Sequence, residues 1–477
     1  DPAGIEGGML TPSPGLSGGA RVLLHVLDRA KVLSSLGTCA ISTEADTLAG
    51  RLPADGIYRN IALSLSGLAA LGAGEAGLAR FHQAFREGME ARAGILGDWR
   101  HNHPRYWTLP ARLQAGDSRA VDTVSIHLLV QLRHGSKDAA ALSAAITALS
   151  DSSTGLLVLA VEPLRRNTDK QGEFRDGFGF VDGLSQPVVE PAPASRGARW
   201  SDEVPRGELL LGYPTSRDVN AVPAETDALL DQGSFLVLRK LRQHVRRLHD
   251  CLDGQAAALG LGRAELLAKM MGRSLDGQPL AQAQSSSNDF NYQADAQALQ
   301  CPFHAHVRRA NPRDTDLATP PAQTPRLLRR GMSYGPPYDP AQPDKAEVEV
   351  DRGLVFMAYN AHIAEQFEPI QRWLAGGNSS GGYSGQGDPF LGVATAGQPR
   401  IYRFEHQGRV IALNLGDKPF VELQWGGYFF VPGVATLRDL AARLPAPTKP
   451  KVAPQVPALG DLDAWRIWLE EDRDRAW

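Results

Sequence analysis

Short apolar runs and helical stripes alternate along the chain. Arg21–Leu27 (RVLLHVL) and Asn60–Ser66 read as strands, with a helical pattern between them. Leu78, Phe81, Phe85, Met89 and Leu96 recur at helical spacing and predict one long helix with a single apolar face. Val124–Val130 alternates apolar residues with Ser125 and His127, a half-buried strand in which His127 is part-exposed rather than a ligand. Asp138–Leu149 predicts a helix and Leu156–Val161 a buried strand. This rhythm predicts an α+β fold, helices on one face of a mostly antiparallel sheet.

Ser234–Leu238 starts the rhythm again. A basic amphipathic helix is predicted over Lys240–Leu252, with Leu241, Val245, Leu248 and Leu252 on one side and its charges in solvent. Leu354–Tyr359 reads as a strand and Ala361–Leu374 as a helix. Strands follow over Ile401–Phe404, Val410–Leu413, Phe420–Leu423 and Tyr428–Val431. The halves look like a distant structural repeat without a sequence period. The expected division is a first domain over 1–200, a connection over 201–232, a second domain over 233–444 and a tail over 445–477. That tail pairs a proline-rich linker, Pro445–Pro457, with a charged helix candidate, Leu462–Trp477.

A length of 477 residues favours two or more domains, and a net charge of −3 with 43% hydrophobic residues describes an ordinary globular chain. Neither a polybasic nor an acidic tail points to nucleic acid. No apolar run approaches the ~20 residues that span a bilayer, so no membrane partner is expected. Cys39, Cys251 and Cys301 are too few and scattered for a disulfide framework and read as thiols in a reduced compartment. The expected location is cytoplasmic; a first residue that is Asp rather than Met leaves secretion open.

Three stretches carry candidate chemistry. Cys301–Asp314 (CPFHAHVRRANPRD) sets His304 and His306 one residue apart, ahead of Arg308, Arg309 and Arg313. A neutral imidazole suits iron, zinc or copper, and guanidiniums suit carboxylates or phosphates. A cofactor with both a metal and carboxylates answers to both, and haem is such a group. In Asp176–Pro187 (DGFGFVDGLSQP), Asp182 lies among glycines and aromatics, either an acid/base in an apolar pocket or an Asx-turn. In Arg326–Tyr338 (RLLRRGMSYGPPY), Arg329 and Arg330 could place one guanidinium in a site and leave the other solvated. The H-x-H pair has no carboxylate a few residues on, against a cupin-type metal site. GNSSG at Gly377–Gly381 lacks the strand–turn–helix setting of a serine nucleophile.

Taken together, GFVDG at Gly179–Gly183, CPFHAH followed by VRRANPR, and LLRRGMSYGP resemble the signature of dye-decolourising (DyP-type) haem peroxidases. Lesser matches include GIEGGML, FREGMEARAGILGD at Phe85–Asp98, GSFLVLRKL at Gly233–Leu241 and GGYFFVPGVATLR at Gly426–Arg438. The resemblance runs from about Gly4 to Leu444 and is closest to the longer subclass; nothing after Leu444 has a clear counterpart.

The resemblance implies two ferredoxin-like domains, each an antiparallel sheet with helices, and one haem b held by the second and capped by the first. It implies His306 as proximal iron ligand, Asp182 as distal acid/base and Arg329 as distal arginine. Gly183, Leu184 and Ser185 would line the haem, and Asn311, Pro312 and Arg313 would lie near its propionates. Glu365 or Glu368 is the expected carboxylate on the other nitrogen of His306. Hydrogen peroxide and organic electron donors are the implied partners, with best activity at acidic pH. Bulky dyes or phenols would be oxidised through a surface aromatic, with Tyr334, Tyr338, Trp373 and Trp425 as candidates. The family commonly has a small residue at the position of His304. In an extended segment His304 and His306 point the same way, so His304 is expected at the haem edge or in a hydrogen bond. The alternative is a non-enzymatic haem-binding or haem-handling protein on the same fold, which would need neither Asp182 nor Arg329. A homo-oligomer is left open.

Overall fold

The computed structural model describes residues 1–444 apart from 14, 114–118, 136–138, 190–201, 217–226, 283–287, 314–323, 340–349 and 377–384. Part of the expected connection, the GNSSG run and the tail from 445 onward lie outside the described residues.

In chain order the strands of the first half are β1 (Gly18–Val26), β2 (Tyr58–Leu63), β3 (Leu128–His134) and β4 (Leu156–Arg165). Four two-residue strands follow: β5 (Asn167–Thr168), β6 (Phe174–Arg175), β7 (Val188–Val189) and β8 (Glu203–Val204). The second half adds β9 (Ser234–Gln243), β10 (Leu328–Arg329), β11 (Met332–Tyr334), β12 (Gly353–Asn360), β13 (Ile401–His406), β14 (Arg409–Asn414) and β15 (Val421–Val431). One nine-stranded sheet runs β10-β12-β9-β15-β2-β3-β1-β4, with β11 also on β12. Its ladders are antiparallel. Counting strands within each half, with β10 and β11 as one interrupted strand, the same order occurs twice: second, third, first, fourth. The fold is α+β with two ferredoxin-like units laid edge to edge. A single ladder pair, Phe430 with Leu63, connects β15 to β2 between the two four-strand groups.

Both faces of the sheet are covered, which accounts for the near-continuous apolar runs. In β1, Val22 and Leu24 enter one core while Leu23 enters another. In β9, Phe235 and Val237 face one side and Leu236 and Leu238 the other. The alternation continues through charged residues. Arg239 is buried against Asp98 at 2.5 Å, and Lys240 reaches Glu162 at 3.0 Å. Paired charges therefore extend β9 to Gln243, and the helix expected over Lys240–Leu252 runs instead over Val245–Leu259.

Other elements also differ from expectation. The long helix predicted from Leu78 to Leu96 is three short ones, Glu75–Leu78, Gln83–Ala91 and Ala93–Leu96. Gly88, at φ 77°, breaks the middle one. Residues 124–127 are not strand: Thr123–Ser125 forms a 3-10 turn, and β3 begins at Leu128. Phe420–Leu423 and Tyr428–Val431 belong to one strand, β15, with a register shift between Leu423 and Trp425. β13 and β14 pair only with each other, in a hairpin outside the large sheet.

Candidate active site

A cavity of about 490 Å³ is lined by residues from β9, β10, β12 and β15, the 176–187 segment and the helix His306–Ala310. That size suits a cofactor-sized ligand. Asp182, Gly183, Leu184, Ser185, His306, Asn311, Arg313 and Arg329 all line it. Pro312 does not.

The 176–187 segment is placed by its main chain. Val181 N–H donates to Leu275 O at 3.0 Å and Asp182 N–H to Phe174 O at 2.9 Å. Gly183 then turns at φ 85°, a conformation that favours glycine, and its N–H donates to Asp182 Oδ1 at 2.7 Å. Ser185 is also left-handed, at φ 55°. Arg329, on β10, locks the turn: its Nη2 donates to Leu184 O at 2.6 Å and Ser185 O at 3.2 Å. In return Gln186 Oε1 accepts from Arg329 N–H at 2.9 Å. Burial pushes the Arg329 guanidinium below its ordinary range, and the nearby Asp182 pulls it back up.

His306 stands on the first residue of the helix His306–Ala310. Its Nδ1 lies 2.8 Å from Asp388 Oδ2. Asp388 is buried, and its Oδ1 accepts from the N–H groups of Phe390 and Leu391 at 2.9 and 2.8 Å. With Asp388 as the carboxylate acceptor, Nδ1 carries the proton. That assignment leaves Nε2 with a free lone pair on a residue that lines the cavity.

Neither glutamate expected beside His306 is there. Glu368 is taken by Arg92, at 2.5 and 2.6 Å, and by the Tyr428 hydroxyl at 3.2 Å. Glu365 lies 3.6 Å from His362. Asp388 follows a glycine-rich run, and no fixed spacing ties it to His306, so the sequence carried no signal for it. His304 does not share a face with His306, because the chain turns into the helix between them. It is buried outside the cavity lining, and its Nδ1 accepts from Arg309 Nη1 at 2.9 Å. Burial, then the Arg309 charge, push its pKa down to about 4. Arg330 is not solvated either: its Nε donates to Met9 O at 3.0 Å and ties down the N-terminal segment. Of the proposed surface aromatics, Trp425 and Tyr334 are core residues packed on the sheet; Trp373 and Tyr338 are half-buried.

The remaining lining fits haem. Phe180, Leu241, Leu354, Phe356 and Phe390 give apolar walls, and Arg273, Arg313 and Arg326 bring guanidiniums together. Arg313 is pushed down to about 10, chiefly by burial and further by Arg273 and Arg326. Asn311 Oδ1 is buried with no partner. An anion with a flat apolar body would meet the walls and the guanidiniums.

Comparison with known proteins agrees. The family model described as Dyp-type peroxidase, C-terminal, matches residues 213–383. The multifunctional dye peroxidase DyP2 of Amycolatopsis sp. is 30% identical over 416 residues, covering 80% of this chain and 82% of its own. The solved structure of that DyP2 superposes with a TM-score of 0.71 over 91% of this chain and 95% of its own, at 25% identity. An ancestral D-type dye-decolourising peroxidase superposes at 0.73 over 92% and 99%, at 22% identity. The chain belongs to the dye-decolourising peroxidase family, and it is a haem enzyme of the peroxidase class. Among the described residues, no helix is long and apolar enough to cross a membrane.

Proposed function

We propose that this chain reduces hydrogen peroxide at a haem site and oxidises bulky organic donors such as dyes and phenolics. In this reading His306 would hold the iron, Asp182 is the acid/base and Arg329 its electrostatic partner. Residues 233–444 form the haem-holding domain and 1–200 the cap. The observation that carries it is the convergence of these three side chains, far apart in sequence, on one cavity.

Haem, when bound, supplies the iron and the electrons that cleave the O–O bond. The protein supplies the rest. His306 Nε2 would hold the metal, and Asp388 fixes the ring by accepting from Nδ1. Arg273 and Arg313 would meet the carboxylates. Asp182 takes a proton from one peroxide oxygen and returns it to the other, which leaves as water. Arg329 sits beside the charge that develops in that transfer. Its own position is fixed by two carbonyls, so it needs little reorganisation. Donors too large for the cavity would deliver electrons through a surface aromatic, and Trp373 and Tyr338 are the candidates that retain exposure.

The test is an absorbance spectrum of haem-loaded protein before and after one equivalent of peroxide, for wild type and Asp182→Asn. A Soret band that shifts at once in wild type and ~10²–10⁴-fold more slowly in the variant is expected. Haem binding without any peroxide response in wild type would instead indicate a haem carrier.

A further inference from the structure

A second carboxyl lines the same cavity. Asp176 follows β6 and opens the turn that leads to Asp182. Its Oδ1 accepts from Phe180 N–H at 2.9 Å and its Oδ2 from Gln243 Nε2 at 3.2 Å. The amide cannot swap ends without loss, because its oxygen accepts from Gly177 N–H at 3.2 Å.

The donors to Asp176, Gln243 and the Phe180 and Phe178 main chain, are therefore all neutral. The cations around it are engaged elsewhere: Arg175 with Asp169 and Asp276, Arg239 with Asp98, Arg273 with Gly277 O and Asn288, Arg329 with the 184–185 carbonyls. Arg166 lies over the Phe174 ring at 4.3 Å, and its charge acts on Asp182. Asp182 is the like charge that Asp176 meets. Burial, and after the opposing hydrogen bond from Phe180 the charge of Asp182, bring the Asp176 pKa up to about 6.

The balance of the reaction leaves a place for such a group. Hydrogen peroxide, two electrons and two protons give two water molecules. The first water takes both hydrogens of the peroxide as the O–O bond breaks. The second forms two new O–H bonds, and its two protons must come from elsewhere. A donor held at the protein surface sends electrons to the cavity and leaves its protons in solvent. Asp182, having returned its proton, is then empty.

We propose that Asp176 is the second proton carrier of the cavity, holding a proton at rest and supplying it, through Asp182, as the electrons arrive. This rests on the reading of Asp182 as the acid/base. Asp176 acts through Asp182: its stored proton is the first of the two, and it is refilled from solvent within the turnover to pass on the second. Its store is full below about pH 6 and empties above, so the electron-uptake half of the cycle slows as pH rises through that value.

The test uses the haem-loaded full chain. Infrared titration of wild type should show a carboxylic-acid C=O band disappearing near pH 6, absent in Asp176→Asn and retained in Asp182→Asn. Gln243→Leu, which removes a donor to the ionised form, should move that band to higher pH. Haem stoichiometry checks that each variant is folded. After peroxide, ferrocyanide supplies an electron and no proton. The return to the resting spectrum at pH 5 should slow about 10²-fold in Asp176→Asn, far more than the reaction with peroxide, and lose its pH dependence near 6. A band that survives in Asp176→Asn or ignores Gln243→Leu, or a return as fast as wild type, overturns the proposal. Asp182→Asn reacting with peroxide at the wild-type rate sinks the acid/base reading instead, and the band still reports on Asp176.

Discussion

The two segments that bring chemistry to the cavity are held in different ways. The Asp182 segment is fixed by its own main chain: N–H groups of Val181 and Asp182 on carbonyls, left-handed turns at Gly183 and Ser185, and Arg329 clamped on the carbonyls of Leu184 and Ser185. The His306 segment is fixed by buried side chains. Asp388 holds the ring, and Arg308 reaches Asp295 Oδ2 at 3.2 Å and Cys301 O at 2.7 Å. Arg309 joins His304, Gln386 O at 2.8 Å and the Trp373 carbonyl. A main-chain scaffold tolerates many side chains but few backbone changes. A side-chain scaffold depends on partners far along the chain, each of which can be removed singly.

Substitutions that separate the two scaffolds test this contrast. His306→Ala is expected to have the largest effect, loss of the proposed iron ligand and of stable haem; haem content and the Soret band after gel filtration report it. Retention of a wild-type Soret band would move the ligand role to another side chain. Arg329→Leu should keep haem but lower kcat/KM for peroxide about 10²–10³-fold. It also releases the 184–185 carbonyls, so Arg329→Lys, which keeps charge without the forked geometry, should recover only part of the loss.

Asp388→Asn should weaken haem retention or activity about 10–100-fold and raise the reduction potential, since a neutral amide draws less of the Nδ1 proton. A potential equal to wild type would mean that Asp388 does not tune the ring. His304→Ala should have the smallest effect. One acceptor of Arg309 is lost while the Gln386 and Trp373 carbonyls remain, for about 0.5–1.5 kcal/mol of stability seen as a lower Tm. A Soret shift in that variant would place His304 closer to the haem than its burial outside the cavity lining indicates.

The contrast also explains what could be read from the chain. The main-chain scaffold is written locally, and Gly179, Asp182 and Gly183 stand within five residues of one another. Strands buried on both faces appear as apolar runs, so the α+β plan was visible. Charges paired in the interior misled: Arg239 and Lys240 look like the wet face of a helix until Asp98 and Glu162 are seen beside them. Asp388 was invisible for a related reason. A hydrogen bond between residues 82 apart leaves no periodicity, and nearer glutamates offered equally good chemistry but were committed to Arg92 and His362. His304 was expected to point the same way as His306 because spacing alone cannot reveal that a helix begins between two histidines.

The edge-to-edge sheet has a consequence for biogenesis. β15 lies between β9 and β2, and its Val421 and Leu423 line the cavity. The ribosome makes β2 early and β15 last among the described strands. The cavity therefore cannot close before Val421 and Leu423 are made, and pairing across such a sequence distance is slow. Haem capture has to wait for β15, and a nascent chain stalled before Val421 would present an open apolar trough to chaperones rather than a haem site.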